Sequence, residues 1–117
     1  AGVDTLAFES LMMKADGWIT GLVCAFPKET VAIYELHRVG KIKEALEIYK
    51  WFLPLLELDT NSKLVQNIKL AEVATGIGTE KVREPRLPLI GKERDNVLEI
   101  IDKSLKSRPI LPDYKNL

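Results

Sequence analysis

His37 and Cys24 are the only histidine and the only cysteine among 117 residues, which removes most of the chemistry these side chains support together. A zinc site draws its four ligands mainly from clustered Cys and His, and neither a second His nor a Cys cluster accompanies His37. Its place near a predicted helix C-terminus, where an imidazolium favours the dipole, points to a structural role. Cys24 would need an adjacent base to act as a nucleophile, and its neighbours Leu22, Val23, Ala25 and Phe26 predict a buried, inert thiol. Gly76-Ile77-Gly78 has two glycines of a phosphate loop, but no strand precedes it and no third Gly or Gly-Lys-Ser/Thr follows, so it reads as a helix C-cap. Lys41, Glu44 and Glu47 form a solvated face with weak pairs. Asp4 reads first as a helix N-cap. A nucleophilic lysine must be desolvated to lower its pKa, whereas Lys14, Lys28, Lys41 and Lys43 fall at helix ends or on polar faces. No residue is therefore assigned as catalytic, and no metal or cofactor is expected.

The whole composition narrows the field further. Seventeen basic and seventeen acidic residues cancel, leaving no broad positive field and no basic stripe with interleaved aromatics for nucleic acid. The longest run without charge or proline, Gly17 to Phe26, is far shorter than the ~20 apolar residues of a membrane-spanning helix. The opening Ala1-Gly2-Val3-Asp4 has no basic or apolar signal region, and a lone cysteine fits a reducing cytoplasm. With 46% hydrophobic and 29% charged residues, a globular domain is expected rather than disorder. The length is also too short for a free-standing (β/α)8 barrel, which takes roughly 250 residues.

Five helices and one strand follow from the pattern. Leu6, Phe8, Leu11, Met12 and Ala15 give the first helix an apolar face after Asp4. Trp18-Ile19-Thr20 is β-branched and aromatic, the one short strand. Pro27 suits the first turn of a second helix, with Glu29 near its positive end and Gly40 as its C′ residue. A third helix from about Lys41 to Leu58 buries Ile42, Ala45, Leu46, Tyr49, Phe52 and Leu56 on one stripe. Ile48, Trp51 and Leu55 form a second apolar face, which predicts burial against another chain or a missing part of this one. Pro54 should kink this helix near its end. A fourth helix carries Leu64, Ile68, Ala71 and Ala74 and stops at Gly76. Val82 to Leu89, with two prolines, should run extended over the surface. A last helix, from about Lys92 to Lys106, uses Val97, Leu98, Ile101 and Leu105.

A lone strand leaves its buried N–H and C=O groups without a ladder. Helix–strand–helix is what remains when a βαβα repeat is cut, so the parallel neighbours of this strand are missing. Tyr34 to Asn61 also imitates a tetratricopeptide unit, with Gly40, Ala45, Tyr49 and Pro54 near the expected places. No second copy follows at a spacing near 34, and such repeats need about three units to bury a core. An ordinary helix pair joined at Gly40 is the better account.

One family gathers these scattered residues. Asp16-Gly17-Trp18-Ile19-Thr20-Gly21, Pro27, Tyr34-Glu35-Leu36, Gly40, Glu44-Ala45 and Pro54-Leu55-Leu56 resemble, in order and spacing, the C-terminal portion of the dihydrodipicolinate synthase/N-acetylneuraminate lyase family. The similarity continues through Lys69, Gly76 and Val82-Arg83-Glu84-Pro85-Arg86-Leu87-Pro88-Leu89. The resemblance implies a (β/α)8 barrel followed by a C-terminal three-helix extension, often in a tetramer. It implies class I aldolase-type chemistry, in which a strand-six lysine forms a Schiff base with pyruvate or another 2-oxo acid. A tyrosine relays protons, and a Gly-rich Thr-Thr or Ser-Thr loop holds the carboxylate. These groups lie upstream of the matching region.

By this resemblance, residues 1–40 are the end of the barrel, with Ala1 to Asp4 closing strand seven and Gly17 to Thr20 forming strand eight. Residues 41–117 are the helical extension. Gly2 matches a glycine that lets substrate approach, and Asp4 a position that contacts substrate hydroxyls or only caps a helix. Ile19 matches an apolar residue near the Schiff-base lysine, and Thr20 and Gly21 the small or hydroxylated positions at the far end of the substrate. Cys24 departs from the Asn of many relatives, and Trp18, bulkier than the usual aliphatic residue, should point outward towards a helix. The expected protein is a mostly helical fragment of a lyase or synthase, inactive alone for want of the lysine. It would associate with the missing barrel or as a homo-oligomer. The reading from a different class is a non-catalytic, tetratricopeptide-like interaction module.

Overall fold

The computed structural model describes residues 1–117. Five α-helices form where periodicity places them: α1 (Ala7–Met12), α2 (Pro27–Arg38), α3 (Ile42–Leu56), α4 (Leu64–Ala74) and α5 (Gly91–Lys106). Short 3-10 turns at Asp4–Leu6, Leu22–Cys24 and Glu57–Thr60 link them.

Helix ends follow the chemistry of left-handed caps. Gly40 (φ +86°) and Gly76 (φ +76°) close α2 and α4. Lys41 N donates to Leu36 O at 2.8 Å and Ile77 N to Glu72 O at 2.9 Å, the long bond of a Schellman motif. Gly76-Ile77-Gly78 is thus a helix C-cap, as its setting implies. Helix α1 ends the same way on Lys14 (φ +75°), with Ala15 N donating to Ser10 O at 3.0 Å. A side chain in that conformation costs roughly 1–2 kcal/mol. Pro54 lies in the last turn of α3, which runs two residues beyond it before tightening into Glu57–Thr60.

One apolar core joins the N-terminal and C-terminal parts of the chain, drawing on Phe8, Phe26, Ile33, Phe52, Leu55, Ala71 and Ile101 among others. Both apolar faces of α3 are covered within the chain. Phe26 and Phe52 meet at 5.5 Å, Trp51 stacks on Phe52 at 5.5 Å, and the Trp51 indole N–H donates to Ser104 O at 2.9 Å. The second face, assigned from sequence to another chain or a missing part, is instead buried by α5. Residues 77–90 run without helix or strand along α4 and α5, crossing a cis Glu84–Pro85 bond. Buried Leu89 and a bond from Gln66 Nε2 to Leu87 O (3.1 Å) hold this segment down.

The expected strand is absent: no residue is in a β-strand. Gly17 to Thr20 is nevertheless hydrogen-bonded to the chain start. The Ala1 amine donates to Gly17 O at 2.9 Å, and Ile19 N donates to Ala1 O at 2.9 Å. Two bonds flanking one residue in this way make a single rung of a parallel ladder. One rung cannot propagate into a strand, and the segments on either side of it have no further neighbour.

Candidate functional site

In a parallel pair both C-terminal ends lie together, and here Asp4 ties them. Its residue is fully buried, and its two carboxylate oxygens take four donors. Trp18 Nε1 reaches Oδ1 at 3.1 Å. Thr20 Oγ1, Gly21 N and Leu22 N reach Oδ2 at 3.0, 3.2 and 3.1 Å. Asp4 does not cap its own helix, where no side-chain cap bond forms. It caps the turn at Leu22–Cys24, 18 residues on, because a carboxylate satisfies orphan N–H groups wherever the chain brings them. The Asp4 carbonyl in turn accepts from the Tyr49 hydroxyl at 3.3 Å. Burial, with Glu9 adding to it, pushes that phenol above its ordinary value.

Of the five residues singled out from sequence, Asp4, Thr20 and Gly21 meet directly. Gly2 lies beside them through the Ala1 rung, with open space where a Cβ would stand. The Ile19 residue is 86% exposed, and its N–H bonds only the Ala1 carbonyl. Trp18 is half-buried against the core and donates to Asp4. An indole N–H taken out of water needs an acceptor, and that was the one sequence signal for its role. Cys24 is exposed, not buried as its apolar neighbours suggested. The tight turn sends Leu22 inward, with Ala25 and Phe26 after it, and leaves the thiol outside. His37 is structural, with its edge to Phe8 at 5.9 Å and Nε2 3.3 Å from Met12 Sδ.

Gly21 binds the site to the helical part of the chain. A Cβ there would stand 2.5 Å from Asp59 Oδ1 and 3.1 Å from Ile68 Cδ1, so its small size is a packing requirement. Asp59 itself was missed in the sequence, which presents it only as part of a turn. Its carboxyl lies against Gly21 with no hydrogen-bond donor, and burial, with Asp4 close by, raises its pKa above the ordinary value. A carboxyl raised in the folded state binds its proton more tightly there than in the unfolded chain, so its ionisation works against folding. That cost is absent below the unfolded value of 3.8 and grows as pH rises through the folded one. Asp59→Asn is therefore expected to raise stability at neutral pH and change little in acid. Urea midpoints at both pH values check this, and a variant equal to the parent at neutral pH rejects it.

No lysine of the chain is buried, and Lys69 alone is half-buried. Groups of three or more His, Cys, Asp or Glu side chains do not converge anywhere, and no helix is long and apolar enough to cross a membrane. Beside the Asp4 site, Gly17 to Thr20 and α2 enclose an open groove of about 540 Å³, lined by Trp18, Val23, Val31 and Tyr34 among others.

Comparison with known proteins adds one result. No curated protein and no solved structure matches the chain. Residues 1–104 match the model of the Dihydrodipicolinate synthetase family. That match spans most of the chain, including the Asp4 site and all but the last turn of helices, and the protein belongs to the dihydrodipicolinate synthetase family.

Proposed function

We propose that this chain is the C-terminal part of a Schiff-base-forming lyase or synthase acting on pyruvate or another 2-oxo acid. The observation that carries the proposal is the parallel rung between Ala1 and Trp18, closed at its C-terminal end by Asp4. Two extended segments joined through a helix are the repeating unit of a parallel barrel, and barrel enzymes place their chemistry at that end of the strands. Residues 1–40 supply the last two strand ends of the barrel, and 41–117 the helical extension. Gly2, Asp4, Ile19, Thr20 and Gly21 line the substrate side, and Asp4 also holds Thr20 and Gly21 in place.

The reacting lysine belongs to the part of the barrel this chain does not contain. An exposed amine stays protonated near neutral pH, and only a desolvated one is nucleophilic enough to condense with the 2-oxo carbonyl and release water. Borohydride trapping with pyruvate is expected to leave the 117-residue chain unmodified and to label one lysine of the completed barrel. An adduct on the isolated chain, or none on the completed protein, overturns the reading.

A further inference from the structure

The segment that leads from Thr20 into α2 is tied at both ends. At its start, Asp4 accepts from the Thr20 hydroxyl and from the N–H groups of Gly21 and Leu22. Hydrogen bonds then run on through it. Phe26 N donates to Leu22 O at 2.9 Å, and Thr30 donates to Phe26 O through its N–H at 3.2 Å and its hydroxyl at 2.9 Å. At the far end stands Glu29, in the first turn of α2 and 1% exposed. Its two carboxylate oxygens accept from Arg108 at 2.8 and 3.1 Å.

Arg108 comes from beyond the last helix. α5 ends at Lys106, and residues 107–117 continue without helix or strand, past the residues 1–104 that match the family. This tail is docked along its length. The Arg108 guanidinium lies over the Phe26 ring at 5.3 Å, and Leu111 and Tyr114 pack against the core. Pro109 to Pro112 share a cleft with Glu44 and Ile48 of α3. All of these contacts are made within the chain, and none depends on a segment outside it. A guanidinium fork fixes a carboxylate in distance and in angle, which a single ammonium charge does not.

We infer that residues 107–117 are a strap that holds the Thr20–Phe26 segment against Asp4, with Arg108 as its anchor and so a positioning residue for the far end of the substrate site. What that site binds rests on the lyase reading, whereas the strap rests on the contacts of this chain alone. With the anchor cut, Asp4 holds the segment from one end only. Gly21 and Leu22 then open from its carboxylate more often, without the rest of the fold opening.

Amide hydrogen exchange of the full chain tests it, read at Gly21, Leu22 and Phe26 against the amides of α4. Glu29→Gln combined with Arg108→Met cuts the anchor without stranding a charge in the interior, so most of the overall stability is kept. In this double variant the three amides are expected to exchange about tenfold or more faster than in the parent, while those of α4 keep the parent rate. A purely structural role for the pair would leave no such local difference once stability is recovered. Lys106→Ala breaks only the exposed pair with Asp102 and should follow the parent at every amide. Parent-like exchange at Gly21, Leu22 and Phe26 in the double variant, or an acceleration shared equally by α4, overturns the inference. Failure of pyruvate trapping on the completed barrel falls on the lyase reading instead, so the two failures are distinct.

Discussion

Asp4→Ala is expected to lower the unfolding free energy by about 4 kcal/mol, measured as a shift in urea midpoint at unchanged slope. The substitution strands four donors at once, two of them the backbone N–H groups of Gly21 and Leu22. Leu22 is fully buried, so water cannot replace its partner without opening the core. Each donor left unpaired in the interior costs about 1–3 kcal/mol, and bonds to a charged acceptor lie at the upper end. Thr20 is only half-buried and recovers part of its loss from solvent, which keeps the sum below four full penalties. Against a typical total of 5–15 kcal/mol, the loss is a large fraction of what holds the fold. Asp4→Asn discriminates the origin of the effect. Its amide oxygen can occupy the Oδ2 position, where three donors converge, leaving its NH2 facing Trp18 Nε1. The loss should fall to about half and be centred on Trp18, visible in near-ultraviolet circular dichroism. Equal losses for Ala and Asn, or a loss below about 1 kcal/mol for Ala, reject this account.

Arg108→Ala is expected to cost about 2–3 kcal/mol by the same measurement. Arg108 makes two bonds to Glu29, Nε to Oε2 at 2.8 Å and the terminal nitrogen to Oε1 at 3.1 Å. Its guanidinium also lies over the Phe26 ring at 5.3 Å. Glu29 is 1% exposed, so removing Arg108 leaves an ionised group in the interior with no counter-charge. Breaking a buried pair from one side costs about 3–5 kcal/mol. The Arg108 side chain is 37% exposed, which admits water and reduces that figure, while loss of the contact with Phe26 adds about 0.5–1 kcal/mol. The Glu29 bond holds the arginine pKa above its ordinary value, so Arg108 stays charged across the neutral range. Glu29→Gln combined with Arg108→Met removes both charges together and should recover most of the loss. Lys106→Ala provides the contrast. Its bond to Asp102 is 3.1 Å, but the two side chains are 78% and 68% exposed, and the expected cost is under about 0.5 kcal/mol. If Arg108→Ala costs no more than Lys106→Ala, the buried pair is not the clamp its geometry implies.

The helices were legible because their signals are local. Apolar spacing of three and four, Pro27 at an N-terminus, and glycine at positions 40 and 76 depend only on neighbours within a turn or two. Lys14 adopts the same left-handed cap as those glycines, and no residue type announced it. The misreadings share a different cause. Asp4 was read as the cap of the helix beside it, but its four donors lie 14 to 18 residues away. Trp51 was left without a partner because Ser104 is 53 residues further on. Trp18-Ile19-Thr20 has a strand's composition, but a strand is a property of a pair, and one rung to Ala1 is all this chain can form. Cys24 shows that a run of apolar neighbours does not fix burial when the backbone turns every three residues. The family resemblance rests on order over a hundred residues, and of the residues it pointed to, Asp4, Thr20 and Gly21 meet in the structure. It could not show that Asp4 is fully engaged by the chain's own donors.

Gly21 and Asp59 couple two properties that are usually varied separately. In the proposed reading, position 21 shapes the far end of a substrate pocket, whereas Asp59 belongs to the turn that opens the helical extension. Because a side chain at 21 would meet the Asp59 carboxyl first, the two positions form one unit of change. A lineage that acquires a larger residue at 21 to suit a smaller substrate must at the same time give up or reorient the acid at 59. The turn at Asp59, 38 residues away in sequence, thereby restricts which side chains position 21 can carry.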